Sequence, residues 1–374
     1  MITSPILAEI VFWIAVFIPL YAFAGYPLAL LGLGLAIRRE VRKAPIWPAV
    51  SLLIPAYNEA RVIARKIENS RALEYPADRI EIVVVSDGSS DETLDILRPL
   101  SGVRVLALPK NCGKMAALNA AVPELRGEMV VFSDASAMLA PDSVRLLVEN
   151  FADPAVGAAS GRYSVVKPNE VNIGASEDLY WRYEAFLKTH ESRLASTLGA
   201  HGHLHAIRKE LYPFPPPETI NDDYVIPLSV LGRGFRAVHE PAAVVYEEAR
   251  EMTGFKRRIR IMAGNLQQLR HVKQFVDPFQ PLPLLFFLSH KAIRLLVPFA
   301  MVTALAASLF LMSSPGYRAL LGVQLLFYAL AGIGMTGRLR PNALRLPFYF
   351  CMINSAAFFG LYHTLKSRRS MAWK

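Results

Sequence analysis

The chain has 374 residues, of which 53% are hydrophobic and 19% charged, and its formal net charge is +10. A mean hydropathy of +0.29 is too high for an ordinary soluble enzyme and indicates membrane segments beside one domain of ordinary size. The basic runs border apolar stretches, so the positive charge fits membrane flanks and no nucleic-acid partner is expected. Two cysteines, Cys112 and Cys351, exclude a disulfide framework and a multi-cysteine metal site.

Residues 1–47 are predicted to form an N-terminal membrane anchor and a basic linker. Within them, residues 5–36 carry a single charge, Glu9, and exceed the roughly 20 residues that span a bilayer. The segment is too long for the core of a signal peptide, so we interpret it as uncleaved. The basic run at 38–43 should stay in the cytoplasm.

The C-terminal part is expected to hold an interfacial amphipathic segment at 271–294, then about three spans and a basic tail within 295–374. The interfacial segment contains prolines, His290, Lys291 and Arg294. Apolar blocks follow at 292–313, 317–336 and 345–365. Four spans in total would place the basic tail outside, against the positive-inside tendency. Either the tail is an exception or one block is not a full span.

Residues 48–270 are predicted to form an α/β domain of Rossmann-like type around a parallel sheet, because strand-type runs alternate with helical patterns. The strand segments are AVSLLIP, EIVVVSD, VRVLAL, EMVVFSD and VGAASG. Ligands of such sheets bind beyond the carboxyl ends of the strands. No GxGxxG follows the first strand and no GxxxxGK[ST] occurs. Dinucleotide dehydrogenases and P-loop NTPases are therefore disfavoured.

Polar motifs follow the first strands. Pro55, Tyr57 and Glu59 end the first strand and could form a wall for a base and ribose, although the start of a capped helix explains them as well. Asp87 ends the second strand in a DGS turn, which is common in tight bends and also places a carboxylate where a ligand would bind. Lys114 lies at a predicted helix N-terminus, which already attracts anions.

Asp134 ends the fourth strand and Ser136 follows two residues later. Mg²⁺ or Mn²⁺ is typically held by one or two carboxylates together with substrate phosphates and water. Asp134 and Ser136 are therefore the candidate metal ligands, whereas a lone aspartate at a strand end is often structural. Arg260, in the basic run 256–260, either flanks the membrane or contacts a leaving diphosphate.

Two further segments are candidates for an acceptor site and a catalytic base. His201, Gly202 and His203 belong to GAHGHLH, whose alternate histidines would share one face of a strand. A loop lining an acceptor site is favoured there over a zinc site, since no fourth ligand is near in sequence. Asp222 and Asp223 open a predicted helix, where one could cap the helix while the other acts as general base.

In this order and spacing, the motifs make residues 48–270 resemble a membrane-anchored family 2 glycosyltransferase with the GT-A fold, related to polysaccharide-synthesis glycosyltransferases. The resemblance implies that residues 55–59 and Asp87 hold the nucleoside and that Lys114 belongs to the same subsite. Asp134 matches the first Asp of the family's DxD metal motif. Ser136 stands in place of the second Asp.

The resemblance extends to the base and the acceptor side. Asp223 matches the last position of the family's [ST/E]-[ED]-D triplet, which implies that it is the general base with Asp222 in support. Arg260 keeps the arginine of the QxxRW motif, but the Gln and Trp are absent. In cellulose- and hyaluronan-type enzymes that Trp supports the acceptor chain, so its loss argues against processive synthesis. Segment 199–208 resembles the acceptor-side loop, with Gly202 at its centre.

The implied enzyme is an inverting, hexosyltransferase-type glycosyltransferase of cell-surface polysaccharide or glycoconjugate synthesis. Its donor would be a nucleotide-diphosphate sugar, with UDP the most common nucleotide, and its acceptor a lipid-linked or saccharide molecule. Mg²⁺ or Mn²⁺ is the expected cofactor. The protein would sit in the cell inner or plasma membrane with a cytoplasmic catalytic domain. Membrane lipids and polysaccharide-assembly proteins are its candidate partners.

Two alternatives stay open. The first is a processive polysaccharide synthase that extrudes its product, although four spans leave little room for a pore. The second is an inactive nucleotide-sugar-binding scaffold of a membrane assembly, which the serine at position 136 favours. A transporter is a weaker possibility, because more than half of the chain is the α/β domain and no intramembrane charge array is visible.

Overall fold

The structure, a computed structural model, describes residues 4–166, 173–248, 254–271, 279–336 and 342–366. The strands are Val50–Ala56 (β1), Ile80–Ser86 (β2), Val103–Ala107 (β3), Met129–Phe132 (β4), Met138–Leu139 (β5), Val156–Val166 (β6), His205–Arg208 (β7) and Arg236–Glu248 (β8). The helices are Ser4–Leu20 (α1), Tyr26–Ala36 (α2), Ile63–Arg71 (α3), Thr93–Leu97 (α4), Lys114–Ala121 (α5), Ser143–Val148 (α6), Ile173–Leu194 (α7), Asp222–Ser229 (α8), Gly254–His271 (α9), Pro281–Phe286 (α10), Ile293–Phe310 (α11), Pro315–Met335 (α12) and Leu346–Lys366 (α13).

The strands form one mixed sheet in the order β3-β2-β1-β4-β7-β6-β8-β5. β1 pairs in parallel with β2 and β4, and β2 with β3, so the predicted parallel half is present. The sheet is not parallel throughout, since β7 runs antiparallel to both β4 and β6. β8 is parallel to β6, and β5 is antiparallel to β8. All five strand segments predicted from the sequence occur.

Both faces of the sheet are covered. Leu53 of β1 belongs to one core, whereas its neighbours Leu52 and Ile54 belong to the other, as the alternation of a strand requires. The first core contains residues of α5, α7 and α8, and it also takes in Tyr26 and Leu30 of α2. The second contains residues of α3, α4 and α6. The face of the sheet covered by α5, α7 and α8 therefore shares one core with α2.

Among the described helices, three are long and apolar enough to cross a membrane. They are Pro5–Ala36, Pro281–Phe310 and Pro315–Met335, while the apolar part of α13, Leu346–Tyr362, is shorter. The four spans stay a prediction. Residues 272–278 of the predicted interfacial segment lie outside the described residues. From Pro281 onward the segment is not a separate element, because α10, a π turn at Phe287–Ala292 and α11 form one helix across residue 294. Pro281 and Pro283 lie in its first turn, where a missing N–H costs little.

A buried charge network joins α7 to the helix Pro281–Phe310. Glu184 forms an ion pair with Arg294 and accepts a hydrogen bond from His290 Nε2 at 3.1 Å. The other ring nitrogen of His290 lies 2.6 Å from Glu191, which also accepts the hydroxyl of Tyr26 at 2.7 Å. Burial would raise the pKa of Glu184, but Arg294 and His290 hold it well below its ordinary value.

We predict that Glu184→Gln lowers thermal stability in detergent. The change leaves the buried Arg294 without its carboxylate, and removing one partner of a buried pair typically costs about 3–5 kcal/mol. Asp95→Asn is the matched control, because the pair of Asp95 with Arg98 is exposed and such pairs contribute little. Thermal unfolding followed by intrinsic fluorescence measures both. Equal melting temperatures for the two variants would contradict the prediction.

Candidate active site

The site is organised around Lys114, in the first turn of α5. Its Nζ lies 2.8 Å from Asp134 Oδ1 and 2.9 Å from Asp222 Oδ2. Burial would lower the pKa of Lys114, but the two carboxylates raise it above its ordinary value. Burial would likewise raise the pKa of Asp134, and Lys114 holds it below its ordinary value. Lys114 and Asp134 are therefore ionised at neutral pH. With Asp222, the cluster brings together three of the residues predicted from the sequence.

Asp87 positions the loop that leads into α5. Its carboxylate is fully buried and accepts the backbone N–H groups of Cys112 at 2.7 Å and Gly113 at 2.8 Å. Gly88 lies under the same loop, where a Cβ would stand 2.3 Å from the carbonyl carbon of Lys110. The predicted contact of Asp87 with a nucleoside stays a prediction. In the structure its two oxygens bind backbone and thereby fix Lys114.

The motif after β1 differs from the predicted capped helix. Pro55 is a buried residue within β1, and α3 begins only at Ile63. Asn58 adopts a left-handed conformation with φ of 55°, and its Oδ1 accepts the N–H of Ser90 at 2.8 Å. This bond joins the loops that follow β1 and β2. Tyr57 and Glu59, the predicted nucleoside contacts, lie half-buried in the first of these loops.

Ser136, the predicted metal ligand, donates a hydrogen bond to a carboxylate that was not predicted from the sequence. Ser136 Oγ donates to Glu247 Oε1 at 2.7 Å. His203 Nε2 lies 2.9 Å from Glu247 Oε2, which also accepts the hydroxyl of Tyr163 at 3.1 Å. Glu247 stands near the end of β8, after an apolar run. The same strand-end signal that singled out Asp134 would have found it.

Asp134 and Glu247 fit a divalent ion that is bound jointly with a diphosphate. Lys114 contacts Oδ1 of Asp134, while Oδ2 lies 4.0 Å from His203 Nε2. No set of three His, Cys, Asp or Glu side chains in the described ranges is arranged to hold an ion by itself. Carboxylates supplemented by phosphate oxygens are the usual ligands of Mg²⁺ in such sites. Glu247 thus supplies a carboxylate next to Ser136, which stands in place of the second Asp of the family's DxD motif.

The acidic triplet, Asn221-Asp222-Asp223, opens α8, and its two acids have different surroundings. Asp222 forms an ion pair with Lys114, whereas Asp223 lines a cavity of about 790 Å³ whose described lining includes neither Asp222 nor Lys114. Neither acid caps the helix, since the N-cap Asn221 makes no capping bond and instead donates to Ile261 O at 3.2 Å and Asn265 Oδ1 at 3.1 Å. Burial, and next the charge of Asp222, raise the pKa of Asp223.

The histidines do not share the face of a strand. Residues 201–204 form a turn closed by a bridge between His201 and Leu204, and β7 begins at His205. His201 is buried against Trp181, with ring centroids 5.2 Å apart, and it is not among the described residues that line the cavity. Its predicted place in an acceptor site stays a prediction. His203 belongs to the Glu247 cluster. Of the predicted acceptor residues, Gly202 lies beside Asp223, where a Cβ would stand 3.3 Å from Oδ2.

His205 and Arg260 have no direct role in the Lys114 cluster. His205 stacks on Phe132 with centroids 4.8 Å apart, and burial lowers its pKa to about 4, so it is neutral. Arg260 lies on α9, and no hydrogen bond or ion pair joins it to the described residues of the cluster. Its predicted contact with a diphosphate stays a prediction.

A mixed sheet with carboxylates at the ends of its strands is the architecture of GT-A nucleotide-sugar transferases. The model of the family Glycosyl transferase family 2 matches residues 51–213. An N-acetylglucosaminyltransferase of Bradyrhizobium elkanii is 32% identical over 132 residues, which are 33% of this chain and 71% of that protein. The chain belongs to glycosyltransferase family 2.

Other relatives are similar over part of their length. An N-acetylglucosaminyltransferase of Mesorhizobium japonicum is 29% identical over 216 residues, 53% of this chain and 51% of the relative. A beta-monoglucosyldiacylglycerol synthase of Trichormus variabilis is 36% identical over 129 residues, 33% of this chain and 28% of the relative. The chain thus spans about half, or less, of the length of the curated relatives that it matches first.

One solved structure is similar over nearly the whole chain. It is the mannosyltransferase PcManGT from Pyrobaculum calidifontis in complex with GDP-Man and Mn²⁺. The TM-score is 0.74 at 26% identity, and the match covers 96% of this chain and 100% of that one. The predicted GT-A fold with flanking helices is confirmed. The Mn²⁺ of that complex supports a divalent metal cofactor here, without deciding between Mg²⁺ and Mn²⁺.

We predict that Glu247→Gln weakens Mn²⁺ binding in the presence of a nucleoside diphosphate by at least about tenfold, since residues around a metal typically change affinity by roughly 10- to 100-fold. Electron paramagnetic resonance of free Mn²⁺ measures the affinity without turnover. Glu124→Gln, at an exposed position, is the control and should bind as wild type. An unchanged affinity in Glu247→Gln would remove Glu247 from the metal site.

We predict that Gly264→Ala lowers turnover by roughly 10- to 100-fold, because small displacements of catalytic groups have effects of this size. The new Cβ would stand 2.5 Å from the side chain of Asn221 and displace the residue that precedes both acids. Gly332→Ala is the matched control, since it adds the same methyl group to a helix with nothing within 4 Å. Equal turnover of the two variants would show that α9 does not position the triplet.

Proposed function

We propose that the chain is an inverting glycosyltransferase that moves a sugar from a nucleotide-diphosphate sugar to a hydroxyl of a lipid-linked or saccharide acceptor at the membrane. The different surroundings of the two acids in the acidic triplet carry the proposal. Asp222 forms an ion pair with Lys114, while Asp223 lines the adjacent cavity. A donor and an acceptor would thus meet across two adjacent residues.

On the donor side, Lys114 is the cation that offsets the charge of the leaving diphosphate. Its raised pKa keeps it protonated, and Asp87 holds it in place through the preceding loop. When bound, Mg²⁺ or Mn²⁺ on Asp134, with Glu247 adjacent, would supply Lewis-acid charge to the same diphosphate. The relatives are named an N-acetylglucosaminyltransferase and a beta-monoglucosyldiacylglycerol synthase, and PcManGT is in complex with GDP-Man. The proposal covers GDP-sugars for this reason, and UDP-sugars because UDP is the most common nucleotide of sugar donors.

On the acceptor side, Asp223 is the base. It takes the proton of the acceptor hydroxyl as that oxygen bonds to the anomeric carbon and the bond from this carbon to the diphosphate breaks. Its raised pKa makes Asp223 a better proton acceptor than an ordinary aspartate. Attack from the cavity side, opposite the leaving group, inverts the anomeric carbon. A positioned base typically contributes roughly 10²–10⁴-fold.

The membrane setting is part of the proposal. The catalytic domain would lie on the cytoplasmic side of the cell inner or plasma membrane, next to the basic run at 38–43. Helices long enough to span a bilayer contribute Phe23, Leu295 and Phe327 to the cavity that holds Asp223. An acceptor anchored in the membrane would therefore reach the base without leaving the bilayer surface.

The test is transfer from radiolabelled UDP- and GDP-sugars, with Mn²⁺ or Mg²⁺, by purified full-length protein supplied with membrane lipids. We expect a short product in the organic phase with inverted anomeric configuration. Asp223→Asn should lower turnover by roughly 10²–10⁴-fold. Asp95→Asn, which is exposed, is the matched control and should keep wild-type turnover.

The other outcomes each contradict part of the proposal. Wild-type turnover in Asp223→Asn would remove the assigned base, and a retained anomeric configuration would remove the inverting mechanism. Long polymer made by the purified protein alone would favour a processive synthase. No turnover by wild type with any donor would favour an inactive nucleotide-sugar-binding scaffold.

A further inference from the structure

The cavity beside Asp223 is lined by both apolar and cationic side chains. The apolar part of the lining comes from α7 and the C-terminal helices, and its side chains include Leu179, Leu295, Phe327, Phe350 and Ile353. The helices α11, α12 and α13, which supply four of these five, are mostly apolar. A nucleotide sugar does not need such a surface. The apolar part of the lining matches the chain of a lipid.

The cationic part of the lining consists of Lys188 on α7 and of Lys291 and Arg294 on the helix Pro281–Phe310. Lys188 is 4% exposed and donates to Ala200 O at 2.8 Å. Lys291 lies over the ring of Tyr224, 5.7 Å from its centroid. Among the described residues, neither lysine has a carboxylate within ion-pair distance, although Lys114 and Arg294 do.

Several hydrogen-bond donors in the lining of the cavity also have no partner among the described residues. Arg294 uses one nitrogen for Glu184, while its Nε and Nη2 have no hydrogen-bond partner in the described ranges. The same holds for the hydroxyl of Tyr224, a residue that is 6% exposed and lines the cavity. Buried donors and cations without partners are costly, so this combination indicates a site for an anion.

We propose that the acceptor is a membrane lipid with a phosphate in its headgroup. The phosphate binds at Lys188, Lys291 and Arg294, and the chain of the lipid packs against the apolar part of the lining. This inference rests on the proposed function. A phosphate accepts several charge-assisted hydrogen bonds at once and would satisfy the unpaired donors. A neutral lipid would leave the buried Lys188 and the half-buried Lys291 without an ion-pair partner among the described residues.

The same cavity contains Asp223, so a hydroxyl of the headgroup beyond the phosphate would reach the base. The acceptor oxygen forms the new bond to the anomeric carbon, its proton passes to Asp223, and the nucleoside diphosphate leaves with the electron pair of the broken bond. The lipid phosphate keeps all of its bonds. Lys188, Lys291 and Arg294 therefore select the acceptor and do not take part in the bond changes.

The test compares phosphatidylglycerol with diacylglycerol of the same acyl chains, by native mass spectrometry of the full chain released from detergent. A charge-assisted hydrogen bond is worth about 1.5–3 kcal/mol, so we expect phosphatidylglycerol to bind at least about tenfold more tightly. Lys291→Gln should lose roughly this factor and Lys291→Arg should keep most of it. Arg318→Gln, an exposed residue at the start of α12, is the control and should bind as wild type.

Three results would overturn the inference. They are equal binding of the two lipids, wild-type binding by Lys291→Gln, and displacement of phosphatidylglycerol by an equal concentration of inorganic phosphate. The last result would define a site for free phosphate instead of a lipid. Binding of UDP- and GDP-sugars to the wild type is measured in parallel. If the wild type binds a UDP- or GDP-sugar but binds the two lipids equally, only this inference fails. If it binds neither sugar nucleotide, the proposed function itself is contradicted.

Discussion

The contact of Lys114 with both Asp134 and Asp222 is the interaction on which the rest of the site depends. Without the cation, the half-buried carboxylate of Asp134, just after β4, would lie close to the buried carboxylate of Asp222 in α8, and the two would repel each other. Asp87 makes the contact possible, because it binds the backbone just before α5 and so fixes where Lys114 begins. The partly enclosed environment strengthens each of these interactions. One lysine thus links the parallel half of the sheet to the acidic triplet.

The parallel half of the fold could be predicted from the sequence because its signals are local. Apolar runs, helix periodicity and polar residues at strand ends identify β1 to β4 and the helices between them. The direction of β7 and the position of β8 depend on pairing between distant segments, which no local pattern specifies. Glu247 follows an apolar run and so carries the local signal of a strand end, but that signal does not show which residues it contacts. Its relation to Ser136 exists only once β8 is placed beside β6.

The sequence predicts which residues form the candidate site better than it predicts what each of them does there. Lys114, Asp134, Asp222 and Asp223 do lie together. His201 and His205, in contrast, are enclosed by aromatic rings, and Asp87 binds backbone amides. A motif shows which side chains have the right chemistry. It does not show which of them the fold will bury, because burial is decided by the packing of neighbouring elements.

The position of the base depends on the C-terminal helices as well as on the sheet. α9 approaches Asn221 closely at Gly264, where a Cβ would stand 2.5 Å away. Nearby on α9, Met262 packs against Gly360 of α13, whose own Cβ would stand 2.9 Å from that of Met262. Two close approaches therefore place α9 between the acidic triplet and an apolar helix. Because Asn221 directly precedes Asp222 and Asp223, a shift of α13 would move both acids. The cavity and the base are thus set by the same packing, and an acceptor that fills the cavity contacts the helices that position its own catalytic group.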